Sequence, residues 1–274
     1  MSRPAGWLAP EWAGGAVGAL MSTREGGVSR APYPSMNLGD AVGDDADHVA
    51  VNRAVFAKAC GAAPVFLRQV HGRAVVRIGA ADAALGAVAH EADASCTTEA
   101  GIACTVLAAD CLPVLFMAPD GRAVAAAHAG WRGLATGVLE ATVSAVCEAG
   151  NCQPAELQVW LGACVGPRAF EVGAEVLEAF AADPAGADAA RFVRGRPGKW
   201  FANLPLLARD RLAAVGLGQI DGGRWCTVED ASDFFSFRRD GVTGRMAAAI
   251  WIIEDRSFGA ALPGISPGAR IMRA

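Results

Sequence analysis

Four histidines and eight cysteines carry most of the nucleophilic and metal-binding capacity of this 274-residue chain. Two of them fall at the ends of neighbouring apolar runs. Residues 102–108 read as a buried strand that ends at Asp110-Cys111, and Val114–Met117 reads as a second strand. A Pro119-Asp120-Gly121 turn then leads into a third, Ala123–Ala127, which is expected to stop at His128. A Pro-Asp-Gly sequence between two apolar runs is a hairpin signal. Pairing these strands brings Cys111 near His128. A thiol beside an imidazole suits either metal ligation or a nucleophile–base pair. His71, in Arg68-Gln69-Val70-His71-Gly72, stands at another strand end and completes a set of two imidazoles and one thiolate. Three protein ligands with an open fourth position is how catalytic zinc is held. No local signature joins the three, so a buried thiol beside capped, partly exposed histidines fits the spacing as well.

Anion-binding candidates lie on both sides of this set. His128-Ala129-Gly130-Trp131-Arg132-Gly133 opens a helix, and free N–H groups at a helix start attract phosphate, with Arg132 adding charge. Downstream, Phe234-Phe235-Ser236-Phe237-Arg238-Arg239 and Thr243-Gly244-Arg245 combine aromatics that can stack on a base with arginines that can hold phosphate. A hairpin with a solvated charged turn is the plainer reading of the same stretch. The sequence contains no HExxH, GxxxxGK[ST] or GxGxxG motif, and no zinc deaminase pattern. Gly264-Ile265-Ser266-Pro267-Gly268 matches GxSxG only formally, because no histidine follows it.

The elements that must position these groups alternate in type. Residues 16–22 read as a strand, 24–45 as a long Gly-, Pro- and Asp-rich loop, and 45–60 as a helix closed by Gly61. Strands are expected at 64–70, 74–79, 157–161 and 245–253, and helices at 133–149, 171–182 and 203–215. Residues 183–199 read as a surface excursion and 255–274 as an irregular tail. The expectation is a mixed α/β (α+β) protein, with residues 1–274 forming a single domain.

Composition is 53% hydrophobic and 19% charged, with a net charge of −4, which supports a large core and lacks the basic footprint of a nucleic-acid binder. The eight cysteines form no CxxC pair, so a reducing cytoplasm is expected. No signal peptide or membrane span is apparent.

The motifs around His71, Cys111 and His128 resemble those of the YfiH-like, or laccase-domain, purine nucleoside phosphorylases. The resemblance extends to Thr23-Arg24-Glu25-Gly26-Gly27, Asn37-Leu38-Gly39, Gly166-Pro167 and the Phe234–Arg245 stretch, and so covers nearly the whole chain in order. It implies a sandwich of mixed sheets flanked by helices, related to bacterial toxin deamidases. It also implies Zn2+ on His71, Cys111 and His128, with copper as the lesser candidate. The implied activities are phosphorolysis of adenosine, inosine and methylthioadenosine, and deamination of adenosine. Asp110 is then a candidate proton carrier. Arg24, Asn37, Gln69, Arg132, Phe235, Arg238, Arg239 and Arg245 are candidates for contacts to phosphate and nucleoside. Nucleosides and phosphate are the expected partners of a monomer or homodimer. Two other activities remain open: a cysteine hydrolase or amidase acting on cell-wall precursors through Cys111 and His128, and a copper polyphenol oxidase. Four histidines are few for a multicopper centre. This sequence departs from the family at Ala163, Phe170 and Asp40, where proline, tyrosine and, one position on, histidine are common.

Overall fold

Strands that are apolar at every position, rather than at alternate ones, must be covered on both faces. A computed structural model of the chain describes residues 4–13, 15–84, 89–182 and 190–254, and in it two stacked sheets meet that demand. In chain order the first elements are β1 (Val17–Met21), α1 (Ala46–Cys60), β2 (Ala63–Phe66), β3 (Val75–Arg77), β4 (Ala94–Thr97), β5 (Ile102–Ala108), β6 (Leu112–Met117) and β7 (Val124–Ala129). Then come α2 (Trp131–Thr136), α3 (Val138–Gly150), β8 (Gln158–Leu161), β9 (Glu171–Val172), α4 (Ala174–Ala179), β10 (Phe192–Arg194) and β11 (Trp200–Ala202). The chain ends in α5 (Leu204–Ala214), β12 (Gln219–Gly222), α6 (Phe237–Asp240) and β13 (Met246–Ile252).

One sheet has the order β1-β13-β5-β2 and the other β12-β8-β6-β7-β4-β3; β10-β11-β9 form a small third sheet. Val106, Ile250, Leu115, Val124 and Trp160 interleave between the two large sheets. The outer face of the first sheet carries Ala103, Ala247 and Ala249 against Phe56 and Cys60 of α1. The outer face of the second carries Val114, Phe116 and Ala125 against Leu139 and Val143 of α3 and Leu212 of α5. The result is the expected mixed α/β sandwich, layered helix, sheet, sheet, helix. No helix among the described residues is long and apolar enough to cross a membrane.

Local chemistry sets the boundaries. The Asp45 carboxylate accepts from the Asp47 N–H at the start of α1, and Gly61 closes that helix in a left-handed conformation at φ 66°. The helix expected at 133–149 is two helices, broken where Gly137 takes φ 98°. The helix expected at 171–182 begins only at Ala174, because Glu171 and Val172 pair with Phe201 and Trp200 of β11. Tertiary pairing here overrides local propensity. Residues 192–194 and 200–202 form a hairpin within the expected excursion. Residues 183–189 and the tail at 255–274 lie outside the described residues. The third strand does not stop short of His128: β7 runs to Ala129, so His128 is itself a strand residue opposite Pro113.

Phe116 is fully buried between the six-stranded sheet and its helices. Phe116→Ala should therefore cost about 3–5 kcal/mol in urea unfolding. A loss below ~1 kcal/mol would contradict this packing.

Candidate metal centre

The three expected ligands come from three different pieces of chain and converge. Their donor atoms all lie within 4.8 Å of one another. Cys111 Sγ is 3.7 Å from His71 Nε2, and the two imidazoles meet edge to face with ring centroids 4.8 Å apart. His128 is buried in β7, Cys111 is half-buried, and His71 is on the exposed side. His71 has φ 60° and Asp110, beside Cys111, has φ 103°. Left-handed backbone at non-glycine residues costs roughly 1–3 kcal/mol each and persists only where the surroundings enforce it.

Three backbone hydrogen bonds to one carboxylate supply that enforcement at His71, and a fourth to the same carboxylate comes from His128. Asp93 is fully buried and accepts from the N–H groups of Val70, His71 and Gly72 at 3.2, 2.9 and 2.6 Å, and from His128 Nδ1 at 2.9 Å. Desolvation works to raise its carboxyl, yet the bonds from His128 and Gly72 hold it below the ordinary range. Desolvation likewise pushes the Cys111 thiol up, but the charge and hydrogen bond of His128, with the hydrogen bond from His71, bring it down to about 6. His128 is pulled down by burial and lifted more strongly by Cys111 and Asp93, to about 9. Both directions describe a thiolate beside an imidazolium. A divalent cation would take the place of the proton on the imidazolium, and a soft thiolate with two imidazoles suits zinc, with copper also compatible. The donor set therefore fits the implied metal.

The site opens into a cavity of about 1200 Å³. Its walls include Gln69, Asp110, Trp131, Arg132, Phe170, Phe237, Arg238 and Arg245, together with His71, Cys111 and His128. Asp110 Oδ1 accepts from the Thr227 hydroxyl and Oδ2 from the Arg238 N–H, both at 2.6 Å, so this carboxylate fastens α6 to the cavity wall. Arg238 also donates to the Glu171 carbonyl and stacks over Phe170. Arg245 donates through Nη1 to the Thr243 and Gly244 carbonyls, and none of the described residues accepts from its Nε or Nη2. Burial pulls its guanidinium below the ordinary value. Arg132 stacks on Trp131 and makes no hydrogen bond to a described residue through its guanidinium. The Gln69 amide is spent on both backbone groups of Leu107, extending the ladder at the edge of β5.

Four expected contact residues are not in the cavity wall. Arg24 donates to the Pro34 and Ala231 carbonyls, and Arg239 to those of Thr227 and Phe234 and to Asp240, so both guanidinium groups pin loops. Asn37 is fully buried; it bonds to Gly39 and Asp44 and accepts from the Arg245 N–H, reaching the site only by fixing that backbone. Phe235 is buried between the sheets, whereas Phe237, two residues on, is 57% exposed at the cavity. The stretch is not a hairpin but ends in the short helix α6, which turns Phe237 outward. Asp93 and Phe237 were the residues that spacing did not single out. An Asp before an apolar strand and one Phe among three carry no distinguishing pattern.

Fold and site together define a mixed α/β sandwich protein with a Cys/His2 centre at the mouth of a cationic, aromatic-lined cavity. A family model described as multi-copper polyphenol oxidoreductase laccase matches residues 18–253. The chain is 50% identical over 249 residues to the purine nucleoside phosphorylase YfiH of Escherichia coli, covering 90% of this chain and 98% of that one. It is 47% identical over 247 residues to a purine nucleoside phosphorylase of Pseudomonas aeruginosa, with the same coverage. A solved structure from Neisseria meningitidis superposes with a TM-score of 0.83 at 44% identity, covering 91% of this chain and all of that one. The structure of YlmD from Geobacillus stearothermophilus gives 0.83 at 32% identity, covering 93% and 98%. The chain belongs to this laccase-like YfiH/DUF152 family.

A Cβ on Gly130 would lie 2.8 Å from His71 Cδ2 and 3.0 Å from Cys111 Sγ. Gly130→Ala should keep its fold, since φ is −66°, and should lose at least about 10-fold in zinc affinity when metal-free protein is titrated. Unchanged binding would contradict the placement of both side chains at one metal site.

Proposed function

We propose that the protein is a zinc-dependent purine nucleoside phosphorylase acting on adenosine, inosine and methylthioadenosine, with accompanying adenosine deaminase activity. One observation carries the reading: two imidazoles and a low-pKa thiol converge in a cavity that also presents incompletely paired arginines and an exposed phenylalanine. Two curated relatives about half identical to this chain bear the name purine nucleoside phosphorylase, which supports the same activity here.

In phosphorolysis a phosphate oxygen bonds to the anomeric carbon while the glycosidic C–N bond breaks. The base leaves with that electron pair and takes up the proton that the attacking dihydrogen phosphate gives up, and ribose 1-phosphate remains. His71, Cys111 and His128 would hold the zinc, which supplies Lewis acidity to an oxygen of substrate or water. Arg245, with Arg132 and Arg238, is placed to hold the phosphate by charge-assisted hydrogen bonds. Phe237, exposed at the cavity where Phe235 is buried, would stack on the base. Asp110 holds α6, and with it Arg238 and Phe237, in place; its proton-carrying role is not needed for this step.

A second reading follows from the line Cys111–His128–Asp93. A thiolate, an imidazolium and an orienting carboxylate are the parts of a cysteine hydrolase. Chelators separate the two, since the hydrolase would survive them and would be stopped by thiol alkylation.

Incubation with inosine or adenosine should release hypoxanthine or adenine only when phosphate is present, as read by HPLC. Arg245→Ala should raise the KM for phosphate about 10-fold or more, the size expected for losing a charge-assisted bond of about 1.5–3 kcal/mol. Base release that is indifferent to phosphate, or no turnover of either nucleoside, would overturn the proposal.

A further inference from the structure

We propose that Asp93 is the positioning residue of the metal centre: a single carboxylate that holds the backbone of His71 and the ring of His128 at once. The proposal rests on the reading of His71, Cys111 and His128 as metal ligands, and it concerns what holds them in place rather than what they bind.

The division of labour between the two oxygens is what singles Asp93 out. Oδ1 accepts from the backbone N–H of His71 and from the ring Nδ1 of His128. Oδ2 accepts from the N–H groups of Val70 and Gly72. Each oxygen thus serves two donors, and one of them joins the two histidines directly. Bonding through Nδ1 leaves Nε2 of His128 as the nitrogen turned toward Cys111, which fixes which ring atom can ligate. The three backbone bonds gather consecutive N–H groups around an anion and hold His71 in its left-handed conformation. The bonds act in a segment where Val70 is 48% exposed and lies outside any strand, so no sheet ladder holds that conformation.

Position in the fold makes the clamp rigid. Asp93 immediately precedes β4, whose Ala94 pairs with Ala127 of β7, and the His128 N–H donates to the Asp93 carbonyl at 2.7 Å. Main chain and side chain of one residue therefore both bind His128. The carboxylate is 0% exposed, so water cannot replace any donor it loses. Asparagine is nearly the same size but offers one oxygen and one NH2. Whichever way the amide turns, its two N–H donors face a pair of N–H donors, either those of His71 and His128 or those of Val70 and Gly72.

The test uses cobalt(II) as the probe, added to metal-free wild type, Asp93→Asn and Val159→Ala. Val159 is fully buried in the core and remote in role from the site, so its truncation reports a loss of stability alone. Asp93→Asn should bind cobalt about 10–100-fold more weakly than wild type, as expected for removing an outer-shell partner, and with a shifted visible spectrum. Val159→Ala should melt earlier yet keep the wild-type affinity and spectrum. The proposal is overturned if Asp93→Asn keeps both, or if Val159→Ala loses as much affinity at equal destabilisation. Hydrogen exchange on the wild type decides the matter if Asp93→Asn does not fold. The amides of Val70, His71 and Gly72 should be protected despite their surface position, and exchange at free-loop rates would overturn the clamp. Wild type that takes up no cobalt while these amides stay protected refutes the metal reading and leaves the clamp standing.

Discussion

Everything at the site depends on the antiparallel register of β6 and β7, which sets Pro113 opposite His128 and Leu112 opposite Ala129. Continued by one pair, that register places Cys111 opposite Gly130, with His128 on the diagonal. Strand side chains alternate between faces, so Cys111 and His128 share the face that Leu115, Val124 and Ala126 present to the other sheet. A slip of one residue would turn the imidazole toward α3 and leave the thiol without its partner. The hairpin is protected against that slip because both of its faces are buried, and each would be filled by side chains of the wrong size.

Burying an imidazole and a thiol at the end of a sandwich is costly unless their charges are paired. Here the pairing runs in a line from the Asp93 carboxylate through His128 to Cys111, and His71 closes it from the exposed side. Glycine at 130 keeps the space between the two strands open for these groups. Asp110 repeats the strategy at the other wall, where one carboxylate ties Thr227 and the N-terminus of α6 to the strand end that carries Cys111. Backbone strain at His71 and Asp110 is thus local to the cavity and is held by buried or half-buried carboxylates.

Much of this was legible in the sequence, for identifiable reasons. The strands at 102–108, 112–117 and 246–252 are apolar but for Thr105, and the Pro119-Asp120-Gly121 turn announces the hairpin, so the meeting of Cys111 with His128 follows from spacing. The α1 boundaries follow from Asp45 and Gly61. His71 is offered by residue type at a strand end, but no spacing ties it to the other two, and only tertiary structure brings it within 4.8 Å of them. The arginines show the limit most clearly. Arg24, Arg238, Arg239 and Arg245 have equivalent sequence credentials, yet Arg24 and Arg239 spend their donors on loop carbonyls while the other two reach the cavity. Side-chain direction in a loop is decided by which carbonyls lie within reach, and no periodicity encodes that. Phe235 and Phe237 differ in the same way: Phe235, ahead of the N-cap Ser236, packs between the sheets, whereas Phe237 opens α6 and points outward.

X-ray absorption on zinc-loaded protein is the most direct test of the claim that His71, Cys111 and His128 form one metal centre. The account predicts a first shell with one sulfur at about 2.3 Å and two imidazole nitrogens at about 2.0–2.1 Å, the sulfur contribution vanishing in Cys111→Ser. A shell of oxygen and nitrogen alone in the wild-type protein would contradict it.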